Sequence, residues 1–276
     1  MSRIIYYYQT FRGLDDILVK NTPVTHIHVA SVHFGYDNNN QPYIHLNDHS
    51  PYNERFDGVW GQIRTADELG IKIVLMLGGA GGGYHSLFSN FNLFYNLLYQ
   101  LLKNKPYISG IDLDIEEEVE LDDVKKLINN IVLHFGEDYI ISLAPVQEAI
   151  EQDIPGIGGF CYKTLLSSPE GKYVDYLNGQ FYNDFSLNAY NMVIQNGYHP
   201  SLVVMGTMDP DVEDVVTSIV DKYPNTFGGV YFWEYPFVEP DALTWAKAMH
   251  KIIVPQFSIK VCLNNFFNKL HEWFVG

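Results

Sequence analysis

The sequence predicts a single α/β domain, a closed (β/α)8 TIM barrel with one extra helix at its C-terminal end. Three observations predict it. Short apolar, β-rich runs alternate with segments of helical periodicity, the pattern of a parallel sheet joined by crossover helices. Eight such runs suit closure into a barrel better than an open sheet. The length of 276 residues fits one barrel, which commonly takes about 200–250 residues or more. No composition shift, internal repeat or low-complexity tract marks a second domain.

In chain order the strands are expected at Ile4–Tyr8, Ile27–Phe34, Lys72–Leu77, Ile108–Asp114, Tyr139–Ala144, Tyr176–Phe181, Leu202–Met205 and Gly229–Phe232. Helical stretches fall at Phe56–Leu69, Ser86–Lys103, Asp122–Phe135, Leu187–Asn196, Val212–Lys222 and Ala242–Ile253. Tyr36–Pro51, with its Asp-Asn-Asn-Asn-Gln-Pro run, reads as a hairpin excursion after the second strand. Gln147–Gly171 is rich in Gly and Pro and reads as a long loop carrying one short helix. The barrel is thus assigned to residues 1–254 and an amphipathic tail to residues 255–276. In that tail Ile259, Leu263, Phe266, Phe267, Leu270, Trp273 and Phe274 recur at helical spacing. Such a stripe must be covered, either by the barrel's flank or by a homodimer contact.

Composition narrows the function. Apolar residues make up 47% and charged residues 18%, a globular composition with a large core. The 33 acidic against 17 basic side chains leave a formal net charge of −16. This repels phosphate backbones and anionic lipid, so neither nucleic acid nor a membrane surface is an expected partner. Cys161 and Cys262 are too few for a disulfide framework, although one bridge between them stays open. The chain enters a strand at its first residues with no signal-peptide pattern, and no apolar run approaches the roughly 20 residues of a membrane span. The expectation is a soluble protein, cytoplasmic or exported by a non-classical route.

The most informative segment is Ser109-Gly-Ile-Asp-Leu-Asp-Ile-Glu. Side chains alternate across a strand, so Asp112, Asp114 and Glu116 share one face and Ile111, Leu113 and Ile115 the other. With the Ile/Leu face on the helices, the acids project into the barrel's upper interior. Like charges buried this close require at least one carboxyl to keep its proton. A protonated carboxyl beside an ionised one suits general acid catalysis. A divalent metal site and a purely structural acid cluster are the competing readings.

This segment resembles the Asp-x-x-Asp-x-Asp-x-Glu signature of glycoside hydrolase family 18, the chitinases and their relatives. Ser109 replaces the first Asp. Lys72-Ile-Val-Leu-Met-Leu-Gly-Gly is similar to the family's third-strand motif, with Met76 where Ser is usual. Ile141-Ser-Leu-Ala-Pro-Val-Gln, Gln180-Phe-Tyr-Asn-Asp and Gly229-Val-Tyr-Phe-Trp resemble the fifth, sixth and eighth strands. The sixth-strand motif is that of the small plant- and fungal-type chitinases.

The resemblance implies cleavage of β-1,4 bonds next to N-acetylglucosamine with retention, by the substrate-assisted route. It implies Glu116 as general acid and Asp114 as the group that orients the substrate's acetamide. Asp112 would sit behind, sharing a proton with Asp114. Tyr182 would hydrogen-bond the acetamide oxygen, and Trp233 would form the apolar floor beneath the sugar. Gln180, Asn183 and Tyr6 are implied contacts of the same subsite, and Gly79 lies in the loop that passes close to the sugar. The implied partner is a carbohydrate, with no metal or cofactor. An endo-β-N-acetylglucosaminidase of N-glycan cores and a non-catalytic chitinase-like lectin stand as alternatives.

Three further features have plainer explanations. Gly78-Gly-Ala-Gly-Gly-Gly lacks the Gly-Lys-Ser/Thr of a phosphate loop. His26 and His28 open a strand, at the end of a barrel that serves stability, and are expected as core or edge residues. Tyr7 and Phe232 are expected as aromatic core filling.

Overall fold

The computed structural model describes residues 2–254. The C-terminal tail, its proposed dimer contact and Cys262 lie outside the described residues. Nine strands form one sheet: β1 (Arg3–Tyr8), β2 (His26–Tyr36), β3 (Pro42–Leu46), β4 (Lys72–Gly78), β5 (Gly110–Asp114), β6 (Ile140–Leu143), β7 (Tyr176–Gln180), β8 (Val203–Thr207) and β9 (Gly229–Phe232). Every strand pair except β2–β3 is parallel, and β1 pairs with both β9 and β2, which closes an eight-stranded barrel. β3 is the expected hairpin arm, antiparallel to the upper half of β2.

Around the barrel run α1 (Asp57–Glu68), α2 (Tyr84–Ser89), α3 (Phe91–Asn104), α4 (Leu121–Phe135), α5 (Gln147–Gln152), α6 (Tyr162–Leu166), α7 (Leu187–Gln195), α8 (Glu213–Lys222) and α9 (Ala242–Ile253). Two expectations need adjustment. The helix expected over Ser86–Lys103 is two helices, because Asn90 leaves the helical region at φ −140° and ψ 65°. Tyr84 holds α2 separately, donating its hydroxyl to the Leu77 carbonyl at 2.8 Å. The segment Gln147–Gly171 carries two short helices, α5 and α6, rather than one.

Strand alternation divides the apolar core in two. Ile4, Tyr6 and Tyr8 of β1, with Ile111 and Leu113 of β5, join the shell between sheet and helices. Ile5 and Tyr7 join Ala30, Met76, Tyr176, Val204 and Tyr231 inside the barrel. The carboxylate strand thus turns its aliphatic face outward and its acids inward, as its sequence requires.

Candidate active site

The C-terminal ends of the strands, where barrels of this kind place their chemistry, open into a cleft of about 1000 Å³. Asp114, Glu116, Gln180, Tyr182, Trp233 and Gly79 all line it. Parallel register does the placing: Met76, Asp112 and Ser142 stand level on β4, β5 and β6, and Asp114 stands level with Gly78. At Gly79 φ is +78°, and a Cβ would lie 2.9 Å from the Met76 methyl and 3.4 Å from Asp114 Oδ2. Glycine lets the chain turn there directly over the acids. Gly79 N–H also donates to the Asp114 carbonyl at 2.8 Å.

Asp112 is fully buried beneath the cleft and surrounded by donors. Ser142 Oγ donates to Oδ1 at 2.6 Å and Tyr7 Oη to Oδ2 at 2.7 Å. Asn178 Nδ2 adds a longer contact to Oδ1 at 3.3 Å, and His28 Nδ1 stands 3.4 Å from Oδ2. A carboxylate that only accepts is the ionised form. Burial works against that charge, but His28, Ser142 and Tyr7 outweigh it and hold Asp112 below the usual carboxylate range.

Asp114 has the opposite surroundings. It is 6% exposed, and its side chain accepts one long contact, from Gln180 Nε2 at 3.4 Å, a group that also donates to the Ala144 carbonyl at 3.1 Å. Burial, then the charges of Glu116 and Asp112, push Asp114 well above the usual range. Asp112 is thus favoured as the ionised member of the pair, and Asp114 as the one that holds the proton. Glu116, half-buried at the cleft wall, is also raised by burial, with Gln180 opposing.

Tyr182 accepts a hydrogen bond from Tyr231 Oη at 3.0 Å, which leaves its own proton free for the cleft. Burial raises the phenol and keeps it protonated. Trp233 is half-buried, with its ring 5.1 Å from that of Tyr7.

Two sequence-derived contacts do not converge here. Tyr6 lies on the outer face of β1, donating its hydroxyl to the Ala242 carbonyl at 2.5 Å and packing against Tyr235 and Trp245. Its neighbour Tyr7, expected as core filling, is the one that reaches the acids; the assignment was one residue out of phase. Asn183 is exposed and does not line the cleft, because β7 ends at Gln180 and strand alternation stops with it. Ser109, at the departed signature position, bonds the Ile73 backbone instead (N–H to Oγ at 3.1 Å, Oγ to carbonyl at 3.2 Å) and lies outside the cleft lining.

Sequence reading also missed Ser142, Asn178 and Glu234. The first two could have been found by following the inward positions of β6 and β7 in phase with Asp112. Glu234 is buried and accepts from the backbone N–H groups of Gln9 (3.0 Å) and Thr10 (2.7 Å), holding the loop after β1 along the cleft wall. Among the described residues no group of three or more His, Cys, Asp or Glu could hold a metal ion, and no helix is long and apolar enough to cross a membrane.

Solved structures share this architecture. A fungal endo-β-N-acetylglucosaminidase of glycosyl hydrolase family 18 matches with a TM-score of 0.82 and 28% identity, over 93% of this chain and 100% of that one. A chitinase from Aspergillus fumigatus matches with a TM-score of 0.78 and 30% identity, over 91% of this chain and 99% of that one. The chain belongs to glycoside hydrolase family 18. As a family 18 barrel it is a chitinase-like glycoside hydrolase. A family 18 chitinase from Pseudoalteromonas aurantia, 21% identical with a TM-score of 0.68, shares the fold. No protein-family model and no curated protein matches the sequence.

Proposed function

We propose that this family 18 hydrolase cleaves the β-1,4 bond between N-acetylglucosamine units of chitin and chito-oligosaccharides, with retention and with the substrate's own acetamide as nucleophile. The observation that carries this reading is the unequal pair on β5, Asp112 ringed by Tyr7, Ser142, Asn178 and His28 beneath an Asp114 that has one long contact from Gln180. Glu116 lines the cleft two residues past the end of β5. Glu116, raised by burial, gives its proton to the leaving oxygen and then takes one from water. The acetamide oxygen attacks the anomeric carbon, and no enzyme carboxylate is needed as nucleophile. Asp114, its carboxyl protonated, accepts from the acetamide N–H through its carbonyl oxygen and so orients the group for attack. Tyr182, its hydroxyl proton free, donates to the acetamide oxygen, and Trp233 offers an apolar face to the sugar ring.

A second substrate is favoured by one comparison, the TM-score of 0.82 to an endo-β-N-acetylglucosaminidase. The core of an N-glycan contains the same N-acetylglucosamine pair, so the same residues would serve. A release assay with a fluorogenic chitotrioside and a high-mannose glycopeptide separates the two. Chitotrioside cleavage supports the first reading, and cleavage of the glycopeptide alone supports the second. Binding without cleavage of either makes the protein a lectin. In the active case Glu116→Gln should lower kcat by about 10²–10⁴-fold with affinity changed only a few-fold. A variant of undiminished rate removes Glu116 as the acid.

A further inference from the structure

Beneath the carboxylates lies a buried histidine to which the proposed mechanism gives no task. His28 is fully buried inside the barrel, with Nε2 3.0 Å from Tyr176 Oη and Nδ1 between Asp112 Oδ2 (3.4 Å) and Asn178 Nδ2 (3.5 Å). Which nitrogen carries hydrogen follows from counting donors. Asn178 has two N–H groups. One goes to Tyr7 Oη at 2.9 Å and the other to Asp112 Oδ1 at 3.3 Å. A flipped amide would set its oxygen against the carboxylate, so this orientation holds. The Tyr7 and Ser142 hydroxyl protons are both spent on Asp112. No donor remains for Nδ1. A bare Nδ1 lone pair would then face a carboxylate oxygen in a dry interior, an uncompensated repulsion. On Nε2, Tyr176 supplies either a donor or an acceptor.

From this we infer that His28 is a positioning residue of the active site: it presents Nδ1–H to Asp112, keeps the negative charge on that residue, and so leaves the proton on Asp114. The inference rests on the catalytic roles given above to Asp114 and Glu116. His28 touches no substrate; it acts through Asp112.

The groups around His28 leave few other candidates for such control. Tyr7 of β1 faces it with ring centroids 4.8 Å apart, and Tyr176 of β7 at 6.1 Å. Burial pushes both phenols far up, so they stay neutral. His26 on the same strand is held well below the usual range by burial. Arg3 of β1, with its guanidinium 4.1 Å over the Tyr176 ring, carries a fixed positive charge. Asp112 of β5 and Asp114 above it are the carboxylates that respond.

The sign of the effect follows. Activity in this reading needs Asp112 ionised and Asp114 protonated. Removing the Nδ1–H donor makes Asp112 harder to ionise, so the acid limb of the kcat/KM profile moves up. His28→Leu should raise that limb by about one pH unit, as loss of a close partner does for a carboxylate. In His28→Asn the amide N–H stands near the Nδ1 position, and the limb should return most of the way. An acid limb unmoved in a folded Leu variant overturns the inference. A packing role alone would lower the melting temperature without moving the limb.

A measurement on the unaltered protein decides the matter if the Leu variant does not fold. The ¹⁵N shifts of the His28 ring report which nitrogen is protonated. A protonated Nδ1 is the expected result, and an unprotonated Nδ1 overturns the inference. That readout requires no turnover. It therefore stands or falls separately from the glycosidase reading, which fails if the wild-type protein cuts neither test substrate.

Discussion

Two regions of the barrel interior meet between Asp112 and Asp114, and they treat a carboxyl group in opposite ways. Below, the packed interior around Asp112 supplies Tyr7, Ser142, Asn178 and His28 to a single side chain. Above, the cleft floor around Asp114 supplies one long contact from Gln180. Both acids are nearly or wholly removed from water. Burial therefore does not decide which one ionises. The number of donors does, since each donor offsets part of the desolvation of the charged form. In the lower region the Asp112 carboxylate is ringed by donors, although the Asn178 Oδ1 beside it has no partner among the described residues; in the upper region Asp114 is left short of donors where chemistry is proposed.

The sharpest way to break this comparison is to neutralise the upper acid. Asp114→Asn keeps the shape but replaces the carboxyl that orients the acetamide with an amide, and kcat should fall by about 10²–10³-fold. The same variant should be more stable than the parent at neutral pH. Asp114 keeps its proton when folded and loses it when unfolded, so it lowers stability as pH rises from the ordinary carboxylate value to its raised folded value. The melting temperature at pH 7 should rise by about 2–4 °C per kcal/mol recovered, and the gain should vanish below the ordinary carboxylate value. A variant that is inactive and also destabilised at pH 7 would mean that Asp114 is ionised in the fold.

Asp112 follows the reverse rule. Its depressed value contributes stability that is present above the ordinary carboxylate value and is lost as pH falls through the folded one. Ser142→Ala removes one of its shortest donors. It should cost about 1.5–3 kcal/mol at pH 7, typical of a hydrogen bond to a charged group. Denaturant midpoints at pH 7 and in acid should converge as Asp112 takes up its proton. A pH-independent loss would assign the serine to packing alone.

On the cleft wall, Tyr182→Phe removes a phenol whose proton is free for the substrate. A fall in kcat of about 10- to 10³-fold with little change in KM is expected. An unchanged kcat would place the acetamide elsewhere. The smallest effect tests the two faces of β1. Tyr6→Phe loses the bond to the Ala242 carbonyl and should cost about 1 kcal/mol of stability, with kcat/KM unaltered. Tyr7→Phe, one residue along, should shift the acid limb of activity upward. Equal effects of the two on activity would put both rings at the site.

Much of this was legible along the chain. The alternation of β-rich and helical runs implied the barrel, and the Asp-x-Asp spacing placed Asp112 and Asp114 on its inner face, because a strand's side-chain period is two wherever it is extended; Glu116 lines the cleft two residues past the end of β5. The same rule failed where the strand's phase had no internal marker. In β1 three consecutive tyrosines, Tyr6 to Tyr8, offer no polar and apolar contrast, so only closure of the sheet onto β9 and β2 shows that Tyr7 points inward. Asn183 shows the complementary failure, for alternation says nothing past the end of β7.

The sequence by itself therefore determined the barrel, the strand that bears the acids and the side of that strand they occupy, all local and periodic properties. The tertiary structure alone decided which acid keeps the proton. That choice depends on side chains from β1, β2, β6 and β7, up to 105 residues away from Asp112 along the chain. Only closure of the sheet brings these donors to one carboxylate and withholds them from the next.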